Sequence, residues 1–285
     1  MMIKVAYRAI RAFLRTGINY CRKRSYNGSV FRVPVINGMH CNPTEPWMND
    51  SLSLALNMRK GLFVDVGANV GQTLLKVKSI EPGREYLGFE PNPACNYYLQ
   101  NLVDQNKLQE CTLVPAAISD QSGVVRLEFF NSSTTNTSAS IIPKYRGNRV
   151  PVQIRHVPVL SGEDIARCLD MSRLGVLKID VEGAELEVLR ALSDVISQSR
   201  PIIFFEVLPC RSEEDTMRLG RQNQIEAIFR EANYTVFRIC KEAGESFLGL
   251  EEIGAFGFHD DLSMTDYVAV PSDDLGLLPE GVLLQ

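Results

Sequence analysis

Short apolar runs alternate with helical stretches along most of the chain. The apolar runs predict strands over residues 62–67, 86–90, 112–118, 176–180, 202–206, 234–239 and 266–270. The stretches between them predict helices over residues 70–80, from about 93, over 183–195 and over 213–232. Continuous apolar strands separated by helices are typical of a parallel sheet covered on both faces. The pattern therefore predicts an α/β fold with a doubly wound, mostly parallel sheet, which binds ligands beyond the carboxyl ends of its strands.

Two further strand-like runs, at residues 124–130 and 150–157, interrupt this alternation. The segment between them, residues 131–140, is polar and has no periodicity. We expect residues 124–158 to form an inserted β-hairpin that carries this polar loop. Such a loop is either a flexible tip or a lid over a substrate.

Residues 3–15 are basic and helix-like, with cations at helical spacing. Cations interrupt the segment too often for a transmembrane helix or a signal peptide. It is either a helix at a membrane surface, which would give a peripheral membrane contact, or a helix packed on the domain, and we favour the second. We expect residues 1–55 to be a basic helical extension and residues 56–285 to form one domain.

Composition narrows the class of partner and the compartment. The 285 residues carry a formal net charge of -4, and a protein that grips nucleic-acid phosphates is normally basic. We therefore expect no nucleic-acid partner. The 7 cysteines are scattered singly with no Cys-x-x-Cys pair, which favours a reducing, cytoplasmic location.

A glycine turn joins the first predicted strand of the domain to its helix. Gly67 and Gly71 allow a sharp turn, and the helix that follows offers unpaired N–H groups. A dinucleotide fingerprint would need Gly-x-Gly-x-x-Gly, but Asn69 stands at its second glycine and Gln72 at its third. These two residues weaken the interpretation that the turn binds a pyrophosphate.

An acidic residue, Glu90, ends the next strand, roughly 20 residues after the glycine turn, where a carboxylate meets ribose hydroxyls. A turn with a ribose-binding acid and no diphosphate cradle suits a nucleoside ligand without phosphate, and S-adenosylmethionine is such a ligand. Asp65 would add negative charge near its ammonium group. The alternative is a tight turn beside a solvated acid.

A second acidic turn follows the strand over residues 176–180. Asp180, Glu182 and Glu185 lie close together, and Glu206 ends the neighbouring strand. Three interpretations remain open: acids that cap the next helix, an acid that faces the substrate, and oxygen ligands for a metal ion. We favour the substrate-facing acid and expect no metal.

Four strings in this order resemble the FkbM family of S-adenosylmethionine-dependent methyltransferases. They are residues 63–71 (FVDVGANVG), 88–93 (GFEPNP), 116–120 (AAISD) and 177–185 (LKIDVEGAE). The resemblance covers about residues 61–207, and we expect it to extend to residue 270. It implies a class I methyltransferase (Rossmann-like) fold, with a seven-stranded sheet whose last strand is antiparallel to the rest.

The resemblance also implies where S-adenosylmethionine would bind. The turn from Gly67 to Gly71 would hold its methionine part and Glu90 its ribose. The stretch from Ala117 to Asp120 would lie beside its adenine, and Asp180 would lie near the sulfonium. The residues expected to bind the cofactor are Asp65, Gly67, Asn69, Gly71, Gln72, Thr73, Glu90, Pro91, Ala117, Ile118 and Asp180.

Members of the family are mostly regarded as O-methyltransferases, so the expected acceptor is a hydroxyl of a sugar, glycan or natural product. Asp180 is the first candidate for a catalytic base and Glu182 the second, and Glu206, His156 and His259 are further candidates. The competing functions are a non-catalytic cofactor-binding protein, an NAD-dependent oxidoreductase and a divalent-metal hydrolase.

Overall fold

The computed structural model describes residues 19–131, 139–143, 145, 149–242 and 246–284. The strands are β1 (Tyr20–Tyr26), β2 (Ser29–Val35), β3 (Leu62–Val66), β4 (Tyr86–Phe89), β5 (Cys111–Val114), β6 (Ala117–Ile118), β7 (Gly123–Phe129), β8 (Gln153–Leu160), β9 (Leu174–Ile179), β10 (Ile202–Glu206), β11 (Tyr234–Glu242), β12 (Ser246–Glu252) and β13 (Asp266–Pro271). The α-helices are α1 (Trp47–Met58), α2 (Gln72–Ile80), α3 (Pro93–Asn106), α4 (Gly162–Cys168), α5 (Glu185–Ala191), α6 (Ser193–Ser199) and α7 (Thr216–Glu231).

The central sheet has eight strands in the order β12-β11-β13-β10-β9-β3-β4-β5. Strands β5, β4, β3, β9 and β10 are parallel neighbours, and β13 runs antiparallel to both β10 and β11. The predicted α/β fold with a mostly parallel sheet and an antiparallel last strand is confirmed. One strand of this sheet was not predicted: β12 pairs antiparallel with β11 and adds an eighth strand at the edge.

Helices cover both faces of this sheet because alternate strand residues point to opposite sides. Phe63 and Phe204 belong to a core cluster shared with α1, α2 and α3. Their chain neighbours Val64 and Phe205 belong to a second cluster shared with α5, α6 and α7. The carboxyl ends of the parallel strands are therefore left as the open edge between two buried layers.

The N-terminal segment differs from its prediction. The predicted helical extension over residues 1–55 is wrong for residues 20–35, which form the antiparallel hairpin β1–β2. Phe31 and Val33 of this hairpin are buried in the same cluster as α1, and the predicted boundary after residue 55 falls inside α1. Tertiary contacts with α2 and α3 outweigh the local pattern here. The basic segment at residues 3–15 lies outside the described residues.

Two predicted elements are each divided in two. The strand expected over residues 112–118 breaks at Pro115, which has no N–H to donate, and β6 joins a different sheet from β5. The helix expected over residues 183–195 is two short helices, α5 and α6, that meet at Leu192.

The inserted strands β7 and β8 pair antiparallel as predicted and form a three-stranded sheet with β6. Residues 132–138 of the predicted polar loop lie outside the described residues. Among the helices that the structure describes, none is long and apolar enough to cross a membrane.

Candidate functional site

A cavity of about 380 Å³ opens at the carboxyl ends of β3, β4, β9 and β10. Such a volume lies within the range of about 300–1,000 Å³ that is usual for small-molecule and cofactor sites. The lining residues are Thr44, Glu45, Val66, Gly67, Ala68, Asn69, Gln72, Thr73, Phe89, Glu90, Pro91, Asn92, Cys95, Ala116, Ala117, Ile118, Leu127, Ala139, Ile141, Lys178, Asp180, Val181, Glu182, Ala184 and Glu206. Nine of the eleven residues expected from the sequence to bind a cofactor are in this set, and Asp65 and Gly71 are not.

The glycine turn brings the ends of β3 and β9 into backbone contact. Gly67 has a φ of 91°, and a Cβ at this position would lie 1.9 Å from the carbonyl oxygen of Asp180. Gly71 caps α2 with a φ of 89° and faces Leu99 and Leu102 of α3 rather than the cavity. The first glycine therefore lets two strand ends approach each other, and the second lets α2 pack on α3.

Glu90 is buried and is held in place by backbone amides on both sides. The N–H of Asn69 and the N–H of Asn92 donate to its two carboxylate oxygens, each at 2.7 Å. Burial raises the pKa of Glu90 to about 7, although these two hydrogen bonds act to lower it. Asn69 adopts a left-handed conformation with a φ of 47°, which asparagine tolerates better than most residues. Asn69, which departs from the dinucleotide fingerprint, thus holds the carboxylate of Glu90 in place through its backbone N–H.

The acidic turn after β9 places its carboxylates in different environments. Asp180 accepts a hydrogen bond from the Nζ of Lys178 at 2.9 Å. Glu182 lines the cavity and has a φ of 55°. Glu185 is buried away from the cavity and accepts from the N–H of Gly183 at 2.9 Å. One acid therefore stabilises the turn, while the other two face the cavity.

Lys178 is the charged partner of the acids around it. Burial on its own would lower the pKa of this lysine, but the carboxylates of Asp180 and Asp65 outweigh burial and raise it above its ordinary value. Lys178 therefore stays charged at the end of β9.

Asp65 lies beneath the cavity rather than in its wall. Its side chain is fully buried, it accepts a hydrogen bond from the Tyr86 hydroxyl at 2.6 Å, and it lies 3.8 Å from the Nζ of Lys178. The expected direct contact between Asp65 and a cofactor is therefore not supported by its position. Asp65 instead helps to hold Lys178.

Glu206, at the end of β10, reaches the same cavity. Burial, together with the negative charges of Asp180, Glu182 and Asp266, raises the pKa of Glu206 to about 9. The hydroxyl of Thr265 donates to its Oε1 at 3.2 Å. The carboxyl group of Glu206, one of the candidate bases, therefore keeps its proton near neutral pH.

The histidine candidates are not brought to the cavity. His156 is exposed on β8, and His259 lies near the surface before β13. Neither side chain lines the cavity. In the described part of the chain, no group of three or more His, Cys, Asp or Glu side chains is arranged to hold a metal ion.

Sequence reasoning missed the part of the wall that comes from distant segments. Thr44 and Glu45 reach the cavity from the segment before α1, and Leu127, Ala139 and Ile141 reach it from the insert. No local pattern marks these residues, because their position depends on how β2, α1 and the insert pack on the sheet.

The strand order and the position of this cavity define a class I methyltransferase fold. A family model described as methyltransferase FkbM domain matches residues 65–236, which is more than half of the chain. The chain therefore belongs to the FkbM methyltransferase family, and its cofactor is S-adenosylmethionine.

Two fungal relatives and one solved structure illustrate the similarity. Methyltransferase sdnD from Sordaria araneosa is 27% identical over 46% of this chain and 60% of its own length. Methyltransferase 1 from Beauveria bassiana is 26% identical over 54% of this chain and 63% of its own length. The match thus spans less than two thirds of either relative. The structure of methyltransferase FkbM from Methylobacillus flagellatus KT is 17% identical, with a TM-score of 0.45, over 74% of this chain and 44% of that chain.

The residues present in the cavity fit S-adenosylmethionine. Lys178 is the one lysine or arginine among the described lining residues, and it is already paired with Asp180, so the cavity offers no cation for a diphosphate. The buried carboxylate of Glu90 can accept hydrogen bonds from ribose hydroxyls, since each of its oxygens has a further lone pair. A nucleoside that carries a positive charge and no phosphate matches this lining.

Proposed function

We propose that the chain is an S-adenosylmethionine-dependent methyltransferase that methylates a hydroxyl group of a sugar, glycan or natural product. The observation that carries this proposal is the presence of Glu90 and Asp180 in one cavity, at the ends of two strands of the same sheet. The methyltransferase names of the two fungal relatives support the transfer of a methyl group.

We assign a different part of the cavity lining to each part of the proposed cofactor. Glu90, beside Pro91, would accept hydrogen bonds from the ribose, and the apolar wall that includes Ala117 and Ile118 would contact the adenine. Gln72 and Thr73 are in the first turn of α2, where a carboxylate is favoured by the unpaired N–H groups and the helix dipole. When bound, S-adenosylmethionine supplies an electrophilic methyl group attached to a sulfonium.

Asp180 and Glu182 would contribute negative charge beside that sulfonium. Because Asp180 is already bound to Lys178, we assign it an electrostatic and positioning role rather than the removal of a proton. Alignment of the two reactants is worth roughly 7–11 kcal/mol in well-oriented reactions, so rigid walls contribute much of the catalysis. The backbone contact between Gly67 and Asp180 provides such rigidity.

The experiment that tests this proposal is calorimetric titration with S-adenosylhomocysteine, with NAD titrated in parallel. We expect one molecule of S-adenosylhomocysteine to bind per chain and NAD not to bind. Glu90→Gln should weaken the binding by about 1.5–3 kcal/mol, because hydrogen bonds to a charged acceptor are lost. Glu213→Gln, which changes an exposed glutamate, is the matched control.

The pH dependence gives a second measurement on the same site. Because Glu90 has a pKa of about 7 and binds the ribose best when ionised, affinity should increase from pH 6 to pH 8. The increase should be absent in Glu90→Gln. Binding of NAD in place of S-adenosylhomocysteine, or equal affinity of Glu90→Gln and wild type, would contradict the proposal.

A further inference from the structure

A second cavity, of about 250 Å³, adjoins the first one. The two cavities share Glu45, Lys178, Asp180 and Glu206. The second one extends from these residues between the ends of β10, β11 and β13 and the start of α1, and its wall includes Trp47, Lys241, Leu262, Thr265 and Asp266. A molecule in this cavity would therefore lie beside the cofactor, next to the shared residues.

Three of the four acidic side chains of the second cavity are paired with lysines. Asp180 pairs with Lys178 at 2.9 Å, and Asp266 pairs with Lys241. Glu45 pairs with the buried Lys76 at 3.3 Å. Both lysines of the lining, Lys178 and Lys241, are thus paired, so the lining offers a ligand no unpaired cation.

Glu206 differs from these three acids. Among the described residues it has no ion-pair partner, and its Oε1 is bound by the Thr265 hydroxyl, which leaves the second oxygen for a ligand. It lies on the boundary of the two cavities. The charged groups that surround it, or that line the same cavities, are Glu45, Glu90, Lys178, Asp180, Glu182, Glu185, Lys241 and Asp266.

We propose that the second cavity binds the methyl acceptor as an uncharged, hydroxyl-bearing molecule, and that Glu206 accepts the proton of its reacting hydroxyl. This inference rests on the proposed methyltransferase function. A phosphate ester is disfavoured because it would meet carboxylates whose lysines are already paired. An amine is disfavoured because it would find no unpaired carboxylate except that of Glu206.

The proposed step balances in atoms and charge. The acceptor oxygen forms a bond to the methyl carbon while the carbon–sulfur bond breaks. The electron pair of the broken bond remains on sulfur. The proton of the hydroxyl passes to the ionised Glu206 carboxylate. Because burial and the neighbouring acids raise the pKa of Glu206 to about 9, the ionised fraction, and with it turnover, should increase with pH up to about 9.

The test is a radiolabelled methyl-transfer screen with three compound pools: uncharged sugars and alditols, their phosphate esters, and the corresponding amino sugars. We expect label to enter the uncharged pool. Glu206→Gln should lower turnover at least about 100-fold, as expected for loss of a general base, and abolish the increase with pH. Glu213→Gln should retain wild-type turnover. Label confined to the phosphate or amine pool, or wild-type turnover in Glu206→Gln, would overturn the inference.

Binding measurements separate this inference from the proposed function. Trp47 is the single tryptophan of the chain and lines the second cavity, with the Nζ of Lys241 4.7 Å from its ring centroid. The compound that accepts the label in the screen is then added to protein with S-adenosylhomocysteine bound. It should change the fluorescence of Trp47 in both wild type and Glu206→Gln. Leu262→Phe, at an exposed position in the wall, should raise the KM for the acceptor severalfold without changing S-adenosylhomocysteine affinity. If wild type does not bind S-adenosylhomocysteine, the proposed methyltransferase function itself is refuted.

Discussion

Left-handed backbone conformations at a few residues shape the cavity. Gly67, Asn69 and Gly71 have positive φ values within five positions, and Glu182 and Gly183 have them in the acidic turn. A non-glycine residue in such a conformation typically costs about 1–3 kcal/mol, so the surrounding structure must compensate for Asn69 and Glu182. The hydrogen bond from Asn69 to Glu90 is one such compensation.

Gly67 gives a direct test of this close packing. Gly67→Ala should lower the free energy of unfolding by about 2–6 kcal/mol, since it combines a positive φ with a collision against the carbonyl oxygen of Asp180. Gly220→Ala is the control, because a Cβ there meets nothing within 4 Å inside α7, and it should stabilise by roughly 0.5–1 kcal/mol. Urea denaturation measures both. Equal stability of Gly67→Ala and wild type would contradict this account of the turn.

Several candidate site residues could be predicted because their chemistry is visible in a short string. Glu90 and Asp180 each follow a recognisable apolar strand, and the structure places both in the cavity. The buried position of Asp65 could not be predicted, because it depends on Tyr86 of β4 and on Lys178 of β9. Both strands are direct neighbours of β3 in the sheet, but Lys178 is distant from Asp65 in the sequence. Burial of an acid is a property of its neighbours in space.

At the scale of elements, the side chain of Tyr145 packs the insert against the acidic turn. Tyr145 is buried, and its ring lies so close to Gly183 that a Cβ there would be 2.4 Å from the ring. The guanidinium of Arg218 lies 5.4 Å from the centre of the same ring. Ala139 and Ile141, which precede Tyr145 in the chain, line the cavity. Tyr145 thus holds one wall of the cavity against the turn after β9.

The role of Tyr145 predicts a binding effect that depends on the ring. Tyr145→Ala should weaken S-adenosylhomocysteine binding about tenfold, because the wall formed by Ala139 and Ile141 loses its support. Tyr145→Phe keeps the ring and should bind like wild type. Calorimetry gives the affinities, and hydrogen exchange over residues 139–143 should be faster in Tyr145→Ala. If Tyr145→Ala binds as tightly as wild type, the ring does not support the cavity.

The elements that could be predicted are those whose own residues show a strong hydrophobic pattern. Strands β3 and β10 are nearly continuous apolar runs, and the structure gives both within one residue of their predicted bounds. Strands β1 and β2 carry Arg22, Lys23 and Arg32 among their apolar residues, so their pattern resembles a polar extension. They become strands because they pair with each other and bury Phe31 and Val33.

For the molecule as a whole, several buried carboxyl groups favour their protonated form. Burial raises the pKa of Glu90 and of Glu185 from an ordinary value of 4.5 to about 7, and that of Glu206 to about 9. Between the ordinary and the raised values, the folded chain binds more protons than the unfolded chain. The free energy of unfolding must then decrease as the pH rises.

We therefore expect thermal stability to decrease from about pH 5 to pH 9. Each of these groups contributes at most about 1.4 kcal/mol for each pH unit within its own window. Glu206→Gln should flatten the decrease between pH 7 and pH 9, since glutamine has no proton to lose. Calorimetric melting of wild type, Glu206→Gln and the exposed control Glu213→Gln measures the effect. If the melting temperatures of all three proteins change with pH in parallel, Glu206 is not the source of the decrease in stability.

The sequence by itself determined the alternation of strands and helices, the glycine turn, the two acidic strand ends and the family resemblance. These features are local, since period, turn chemistry and short motifs act over a few residues. Only the tertiary structure decided that Glu45 and Glu206 both line two adjoining cavities, that Asp65 is buried outside their walls and that three lysines pair with three acids. Charge pairing, burial and cavity shape arise from contacts between segments that are distant in the chain, and no local pattern encodes them.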